Sequence, residues 1–198
     1  MMGGKNMQEN TLKLFHTGFE KIERPDIRRG RKNADFGQGF YTTKDMDFAC
    51  RWARERRDTD TVINAYELDL RGLRVRHFAR DAAWYDYIFK NRSGGADALD
   101  GADVIIGPIA NDTIYDTFGI ITSGLLKRED ALELLLAGPV YEQIVIKTQR
   151  AVEQLRFLSA RAFRREEIGA YRETVAREEA EFQKVFAEKL EKIAGNIG

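Results

Sequence analysis

A short stretch with two glycines, which runs from Asn33 to Thr43, places the tightest constraint on how this chain folds. Its sequence is Asn-Ala-Asp-Phe-Gly-Gln-Gly-Phe-Tyr-Thr-Thr. Glycine permits backbone conformations and close approaches that a Cβ atom would block. The aromatic and threonine residues that follow favour extended structure. The stretch therefore predicts a tight turn that leads into a strand with Tyr41 near its start, either as an ordinary core turn or as part of a binding site.

Patterns typical of short strands and of helices both occur along the rest of the chain, and we expect an α+β fold. The predicted strands are Leu12–His16, Phe40–Thr43, Val62–Leu70, Leu73–Phe78, Asp103–Pro108, Val140–Thr148 and Leu155–Leu158. The predicted helices are Lys44–Arg57 with Thr43 as its N-cap, Asp81–Asn91, Thr113–Phe118, Lys127–Ala137 and Arg161–Ala194, with a helical turn at Gln149–Gln154. The last helix has apolar residues at three- and four-residue steps between many charges, which is typical of an amphipathic helix.

Positive and negative charges balance in this chain, at 32 residues each. A net charge of zero argues against broad electrostatic attraction to nucleic acid or to an anionic membrane. A local basic cluster nevertheless precedes the glycine stretch, and it consists of Arg24, Arg28, Arg29, Arg31 and Lys32. The cluster fits either a solvated loop or a binding site for a dinucleotide's pyrophosphate, because arginine presents a bidentate fork to such groups.

Several classes of site are excluded by what the sequence lacks. The single cysteine, Cys50, excludes an intramolecular disulfide and a cysteine-based zinc site, and we predict no metal site. The glycines of the key stretch are not followed directly by a helix pattern, so they form no Rossmann fingerprint. Residues 1–10 lack the apolar segment of a signal peptide, and no apolar run reaches about 18 residues. We therefore expect a cytoplasmic protein without membrane association, with a disordered lead at 1–10.

Four motifs in a fixed order carry a resemblance to a known family. They are Leu14–Gly18, Asp35–Thr43, Gly107–Asp112 and Glu142–Thr148. Together they resemble the DUF3990-like group of small bacterial domains of the ADP-ribosyltransferase type, over roughly Leu12 to Leu158. That group looks like a relative of toxins and polymerases built on a His…Tyr…Glu triad. The resemblance implies an ADP-ribosyltransferase-like domain at 11–158, with two small β-sheets split around an NAD cleft, and a long C-terminal helix within 159–198.

The resemblance also implies an activity. The chain would be an NAD-dependent ADP-ribosyltransferase, with a toxin-like role as one form, that uses NAD as substrate and transfers ADP-ribose to a macromolecule. Cleavage of the nicotinamide–ribose bond passes through an oxocarbenium-like transition state, so orientation and electrostatic stabilisation dominate the catalysis. Two alternatives share the fold: an NAD glycohydrolase, and a non-catalytic module that binds NAD or a partner.

By the same resemblance, His16 would hold a ribose, Tyr41 would stack on nicotinamide, and Gln143 would take the third position of the triad. Gln143 departs from the glutamate of the pattern: it can accept a hydrogen bond from the ribose 2′-OH, but it carries no charge. Glu142 is the alternative, although it lies on the opposite face of its strand. The further candidates for contact with NAD are Thr17, Gly18, Arg31, Asp35, Phe36, Gly39, Phe40, Arg92 and Asp112. Of these, Gly18 and Gly39 would let the backbone approach the ligand.

The apolar stripe of the last predicted helix predicts a partner. A helix of about thirty residues spans roughly 50 Å, which exceeds one side of a domain with a radius of gyration near 15 Å. Part of the stripe from Tyr171 to Ile193 is therefore expected to form a helix–helix interface, most simply in a homodimer, or with a regulatory protein such as an antitoxin. The alternative is a helix that folds back onto its own domain.

Overall fold

Two small β-sheets organise the part of the chain that the computed structural model describes, which is residues 10–53, 59–99, 101–110, 127–135 and 138–195. The first sheet is antiparallel and has the strand order β1 (Thr11–Gly18), β3 (Thr61–Asp69) and β7 (Leu155–Phe163). The second has the order β2 (Phe40–Thr42), β6 (Glu142–Ile146), β5 (Val104–Pro108) and β4 (Val75–His77), with only β4 and β5 parallel. The predicted α+β fold with two small sheets is confirmed.

The helices of the described residues are α1 (Met46–Arg51), α2 (Ala82–Arg92), α3 (Arg128–Leu135), α4 (Gln149–Glu153) and α5 (Arg165–Gly195). The long C-terminal helix of the prediction is thus confirmed as α5. Asp112 and the predicted helix Thr113–Phe118 lie outside the described residues, as do the first nine residues of the predicted lead.

The N-cap of α1 differs from the prediction. Asp45 caps the helix, since its Oδ1 accepts a hydrogen bond of 3.1 Å from the backbone N–H of Phe48. Thr43, which the sequence predicts as the cap, instead exchanges two backbone hydrogen bonds of 2.8 and 3.0 Å with Phe15. Sheet pairing therefore overrides the local capping preference of threonine. The Phe15–Thr43 bridge also links the first sheet to the strand end of the second.

Strand β7 continues past the predicted end at Leu158 to Phe163. Its partner β3 is nine residues long and offers hydrogen bonds along that length, so Thr61 pairs with Phe163. As a result α5 begins at Arg165 rather than Arg161, and the predicted boundary between residues 158 and 159 falls inside β7.

Strand β6 lies between β2 and β5 and is buried on both faces. In its register Tyr41 is opposite Val145, so Tyr41, Val145 and Gln143 share one face. Ile144 and Ile146 occupy the other face and are fully buried. The first face joins a cluster that contains Phe36, Trp84, Tyr87, Ile105 and Leu134, and the second joins a cluster that contains Leu14, Phe40, Tyr66 and Val152.

Helix α5 packs on the chain's own domain. Its side chains Phe182, Phe186 and Ile193 are buried in the first of these clusters, and Ile168 is buried beside Phe163. For these side chains the fold-back arrangement is what the structure shows. The homodimer and the antitoxin-like partner stay predictions.

A second contact joins α5 to α1 through Arg51. Its guanidinium donates to the carboxylate of Glu178 on α5 and, at 3.0 Å, to the Tyr141 hydroxyl just before β6. Among the described residues, no helix combines the length and apolar character that a membrane crossing requires. The same residues contain no cluster of three or more His, Cys, Asp or Glu side chains able to hold a metal ion.

Candidate functional site

A cavity of about 270 Å³ is lined by strands of both sheets and by α1. Strand β1 contributes from the first sheet, and β2 and β6 contribute from the second. The predicted site residues that line it are His16, Thr17, Arg31, Asp35, Tyr41 and Gln143. Gly18, Phe36, Gly39, Phe40 and Arg92 are not part of its lining. The folded chain therefore brings the three residues of the predicted triad to one cavity.

His16 is held by a hydrogen bond of 2.8 Å between its Nδ1 and the backbone carbonyl of Tyr41. A carbonyl only accepts, so Nδ1 carries the proton and Nε2 is the acceptor of the neutral ring. Burial lowers the pKa of His16, which favours this neutral form, and the hydrogen bond to Tyr41 opposes the shift in part. A Cβ at Gly18 would lie 3.3 Å from Nε2, so glycine keeps space beside this acceptor.

Tyr41 is more firmly fixed than the sequence predicts. Its hydroxyl donates to the Gly37 carbonyl at 2.7 Å and accepts from the Phe36 N–H at 2.9 Å. Its ring packs against the first hydrophobic cluster, and it is half-buried. Burial, followed by the nearby charge of Asp35, raises the pKa of Tyr41, so the phenol stays protonated. Tyr41 is therefore a braced wall of the cavity and not a freely exposed ring.

Gln143 has a single favourable amide orientation. Its Nε2 donates to the Pro108 carbonyl at 3.2 Å and to Oδ2 of Asp35 at 3.4 Å. Both partners are acceptors, so the amide nitrogen must face them and Oε1 must face away. Within the described residues, Oε1 has no hydrogen-bond donor. Glu142 is not part of the cavity lining and forms an ion pair of 2.6 Å with Lys44.

The remaining predicted residues have other contacts. A Cβ at Gly39 would lie 2.7 Å from the Ile146 carbonyl oxygen, so this glycine allows the close contact of its loop with β6. Phe36 and Phe40 are buried in the two hydrophobic clusters. Arg92 donates from Nε and Nη2 to Oδ1 of Asp35, at 2.9 and 2.7 Å, and so is connected to the cavity through Asp35.

Comparison with known families gives a match over residues 12–157 to the family described as protein of unknown function DUF3990. The chain belongs to this family. Neither a curated protein nor a solved structure matches it. The matched segment contains each predicted site residue from His16 to Gln143, whereas α5 lies beyond it.

An aromatic wall of the DUF3990 cavity is missing from the sequence prediction. Phe48 and Trp52 on and just after α1 line the cavity, with ring centroids 5.8 Å apart at 70°. Phe48 also stacks on Tyr141 at 4.4 Å. Trp52 is 39% exposed, which is unusual for a tryptophan on a core-facing helix. The four-residue spacing of Phe48 and Trp52 indicates a shared helix face, but the sequence gives no sign that this face borders a cavity.

The arginines of the basic cluster have different surroundings in the structure, because two form ion pairs and one lines the cavity. Arg28 pairs with Asp26 at 3.0 Å, and Arg29 pairs with Glu20 at 2.8 Å. Arg31 is exposed and lines the cavity. Its positive charge opposes in part the rise in the pKa of Tyr41. Arg31 is therefore the member of the cluster that a ligand in the cavity would meet.

Proposed function

We propose that this protein is an NAD-dependent ADP-ribosyltransferase. The observation that supports the proposal is that His16 and Gln143, from different sheets, line one cavity with Tyr41. Each has an acceptor, Nε2 or Oε1, to which the described residues donate no hydrogen bond. Acceptors of this kind suit the hydroxyl groups of a ribose.

The cavity fits part of a dinucleotide. Its volume of about 270 Å³ is near the lower end of small-molecule sites, which begin at about 300 Å³. We infer that the nicotinamide riboside half would enter it, with an aromatic face from Phe48, Trp52 or Tyr41. The exposed guanidinium of Arg31 at the same cavity would meet the pyrophosphate, which arginine binds with two parallel hydrogen bonds.

The proposed reaction is cleavage of the nicotinamide–ribose bond followed by attack of a nucleophile on the ribose. The bond between ribose C1′ and the nicotinamide nitrogen breaks with both electrons going to nicotinamide, which leaves as a neutral molecule. The ribose becomes oxocarbenium-like, and an acceptor nucleophile then attacks C1′. His16 and Gln143 would fix the ribose hydroxyls so that C1′ is presented to the nucleophile, which is an orientation effect. The carboxylate of Asp35 in the same lining would favour the developing positive charge.

One observation favours a second candidate, a non-catalytic module that binds NAD. The third position of the triad is the neutral Gln143, so the direct negative charge of a glutamate is missing there.

Incubation of the protein with NAD labelled in its adenosine half separates these functions. Nicotinamide release is measured together with transfer of label to protein, RNA and DNA. Release with transfer supports the proposal, and release without transfer indicates an NAD glycohydrolase. Binding without release indicates the module, and absence of binding contradicts all three.

Two variants and a control connect the activity to the cavity. His16→Ala and Gln143→Ala are each expected to lower turnover by roughly 100-fold, the usual effect of losing one oriented group in such a site. Glu142→Ala is the matched control, because its side chain pairs with Lys44 outside the cavity lining. An equal loss in all three variants would show that the losses are structural.

A further inference from the structure

A buried carboxylate lies directly behind the amide of Gln143. Oδ2 of Asp35 is 3.4 Å from Nε2 of Gln143, and Oδ1 is held by Arg92 at 2.7 Å. Asp35 is 6% exposed and Gln143 is equally buried, so water does not replace these contacts. The two residues are far apart in the chain, and neither was singled out by sequence as a partner of the other.

We propose that Asp35 is a positioning residue that acts through Gln143, and that it makes glutamine the required residue at position 143. This inference rests on the proposed function only for the identity of the group that Oε1 meets, a ribose hydroxyl. The orientation of the amide follows from the contacts of Asp35 and Pro108 alone.

The direction of the Gln143 amide is set by its two acceptor neighbours. A glutamine can present either its oxygen or its nitrogen to a ligand, and the two differ by a rotation of the terminal group. With Asp35 and the Pro108 carbonyl on one side, only the nitrogen can face them. The oxygen is therefore committed to the other side before any ligand arrives, which is preorganisation of an acceptor.

The Asp35 carboxylate also accounts for glutamine, and not glutamate, at position 143. A glutamate at position 143 would bring its carboxylate to hydrogen-bond distance of the Asp35 carboxylate in a buried site, where like charges repel strongly. The negative charge that the triad pattern places at this position lies instead on Asp35, one side chain further back. It acts on the substrate through a polarised amide, since hydrogen bonds in a chain polarise one another.

An exchange of the two functional groups tests the proposal. In Asp35→Asn, the Asn amide nitrogen would face the Gln143 nitrogen, so Gln143 keeps only the Pro108 carbonyl as an orienting acceptor and we expect turnover to fall roughly 10-fold or more. In Gln143→Glu, two carboxylates face each other, and we expect the melting temperature to fall by roughly 6 °C or more. The double variant Asp35→Asn/Gln143→Glu restores a donor–acceptor contact, while the Asn oxygen still accepts from Arg92.

The expected result is rescue. The double variant should recover at least half of the loss in melting temperature of Gln143→Glu, measured by thermal unfolding of the intact chain without NAD. The control is Asp97→Asn/Gln143→Glu, in which the changed carboxylate pairs with Lys147 instead of contacting Gln143, so no recovery is expected. A double variant that is no more stable than Gln143→Glu, or a control that recovers equally, overturns the proposal.

Nicotinamide release of the same proteins separates this inference from the proposed function. Recovery of melting temperature together with turnover above that of Asp35→Asn supports both. Recovery of melting temperature in a protein that never releases nicotinamide supports the Asp35–Gln143 orientation and contradicts the transferase. If Asp35→Asn loses turnover but the double variant recovers none of the melting temperature that Gln143→Glu loses, the positioning role is overturned.

Discussion

Two ion pairs hold the loop between Asn33 and Gly39, and one of the two reaches the cavity. The cavity-side pair is Asp35–Arg92, with a shortest distance of 2.7 Å. The turn-side pair is Asp97–Lys147, with a distance of 2.9 Å. Asp35 lines the cavity and contacts Gln143, whereas Lys147 donates to the Phe36 carbonyl within the loop.

The comparison shows how similar pairs take different roles. The Asp97 side chain is 26% exposed and also accepts from the Tyr87 hydroxyl and the Leu99 N–H. Burial opposes ionisation of Asp97, but these hydrogen bonds and Lys147 together keep its pKa below the usual value. Asp35 likewise has further donors, the Ala110 N–H and the Gln143 amide, each at 3.4 Å from its Oδ2, so the two pairs differ mainly in exposure. The Asp35 side chain is only 8% exposed, so the loss of its cation should have the larger effect.

The largest expected effect comes from breaking the cavity-side pair. Arg92→Met leaves Asp35 buried without its cation, and we expect the free energy of unfolding to fall by about 3–5 kcal/mol. NAD turnover should fall in the molecules that stay folded, because Asp35 no longer orients Gln143. Urea denaturation and nicotinamide release measure the two effects. A variant with wild-type turnover would show that Arg92 supports the fold only.

A smaller effect is expected from the turn-side pair. Lys147→Met should lower the free energy of unfolding by about 2 kcal/mol, less than for a fully buried pair, because Asp97 keeps its other donors and some solvent. Turnover per folded molecule should stay within about twofold of wild type. The same two measurements apply. If Lys147→Met loses turnover as Arg92→Met does, the functional distinction between the pairs is wrong.

A titration sharpens the comparison by reporting on the cavity through His16. Burial lowers the pKa of His16 in the folded protein, whereas the unfolded chain titrates near 6.5. Above that pH the contribution to stability is fully present, and it is lost as the pH falls toward the folded value, by at most about 1.4 kcal/mol per pH unit. Urea midpoints between pH 7 and 5 should therefore fall less steeply in His16→Asn. His77→Asn, on β4, is the control, and an unchanged slope in His16→Asn would contradict the argument.

The smallest expected effect lies on the aromatic wall, away from both pairs. Trp52→Ala should weaken NAD binding roughly fivefold, which corresponds to about 1 kcal/mol of lost stacking. Phe89→Ala is the matched control, since Phe89 is 47% exposed on α2 and does not line the cavity. Calorimetric titration with NAD decides the question, and equal affinities of the two variants would remove Trp52 from the site.

The fold was more predictable from sequence than the site because local patterns determine strands and helices. The three- and four-residue spacing of the apolar residues in α5 follows directly from which side chains face the core. The errors arose where a distant partner overrides a local preference, as at Thr43, which pairs with Phe15, and at β7, which β3 extends. Neither partner is visible in the local sequence.

The candidate site shows the same limit. The triad residues could be chosen from the motifs of the resemblance, which favoured Gln143, and strand periodicity placed the alternative Glu142 on the opposite face. The contact between Asp35 and Gln143, by contrast, depends on how the loop lies against β6. Gly39 shows a related limit, because a glycine indicates close approach without indicating which atoms approach, and the contact of Gly39 with β6 is visible only in the structure.

The position of α5 in the core has a consequence for the making of the protein. Phe182, Phe186 and Ile193 cover the surface around Trp84 and Leu134, yet they are synthesised after every other described element. On the ribosome, this surface stays uncovered until α5 emerges, and exposed apolar surface of that kind attracts chaperones. The ion pair between Arg51 on α1 and Glu178 on α5 likewise forms only after α5 has been synthesised. A nascent chain therefore completes the packing of this cluster only after the family segment itself has been translated.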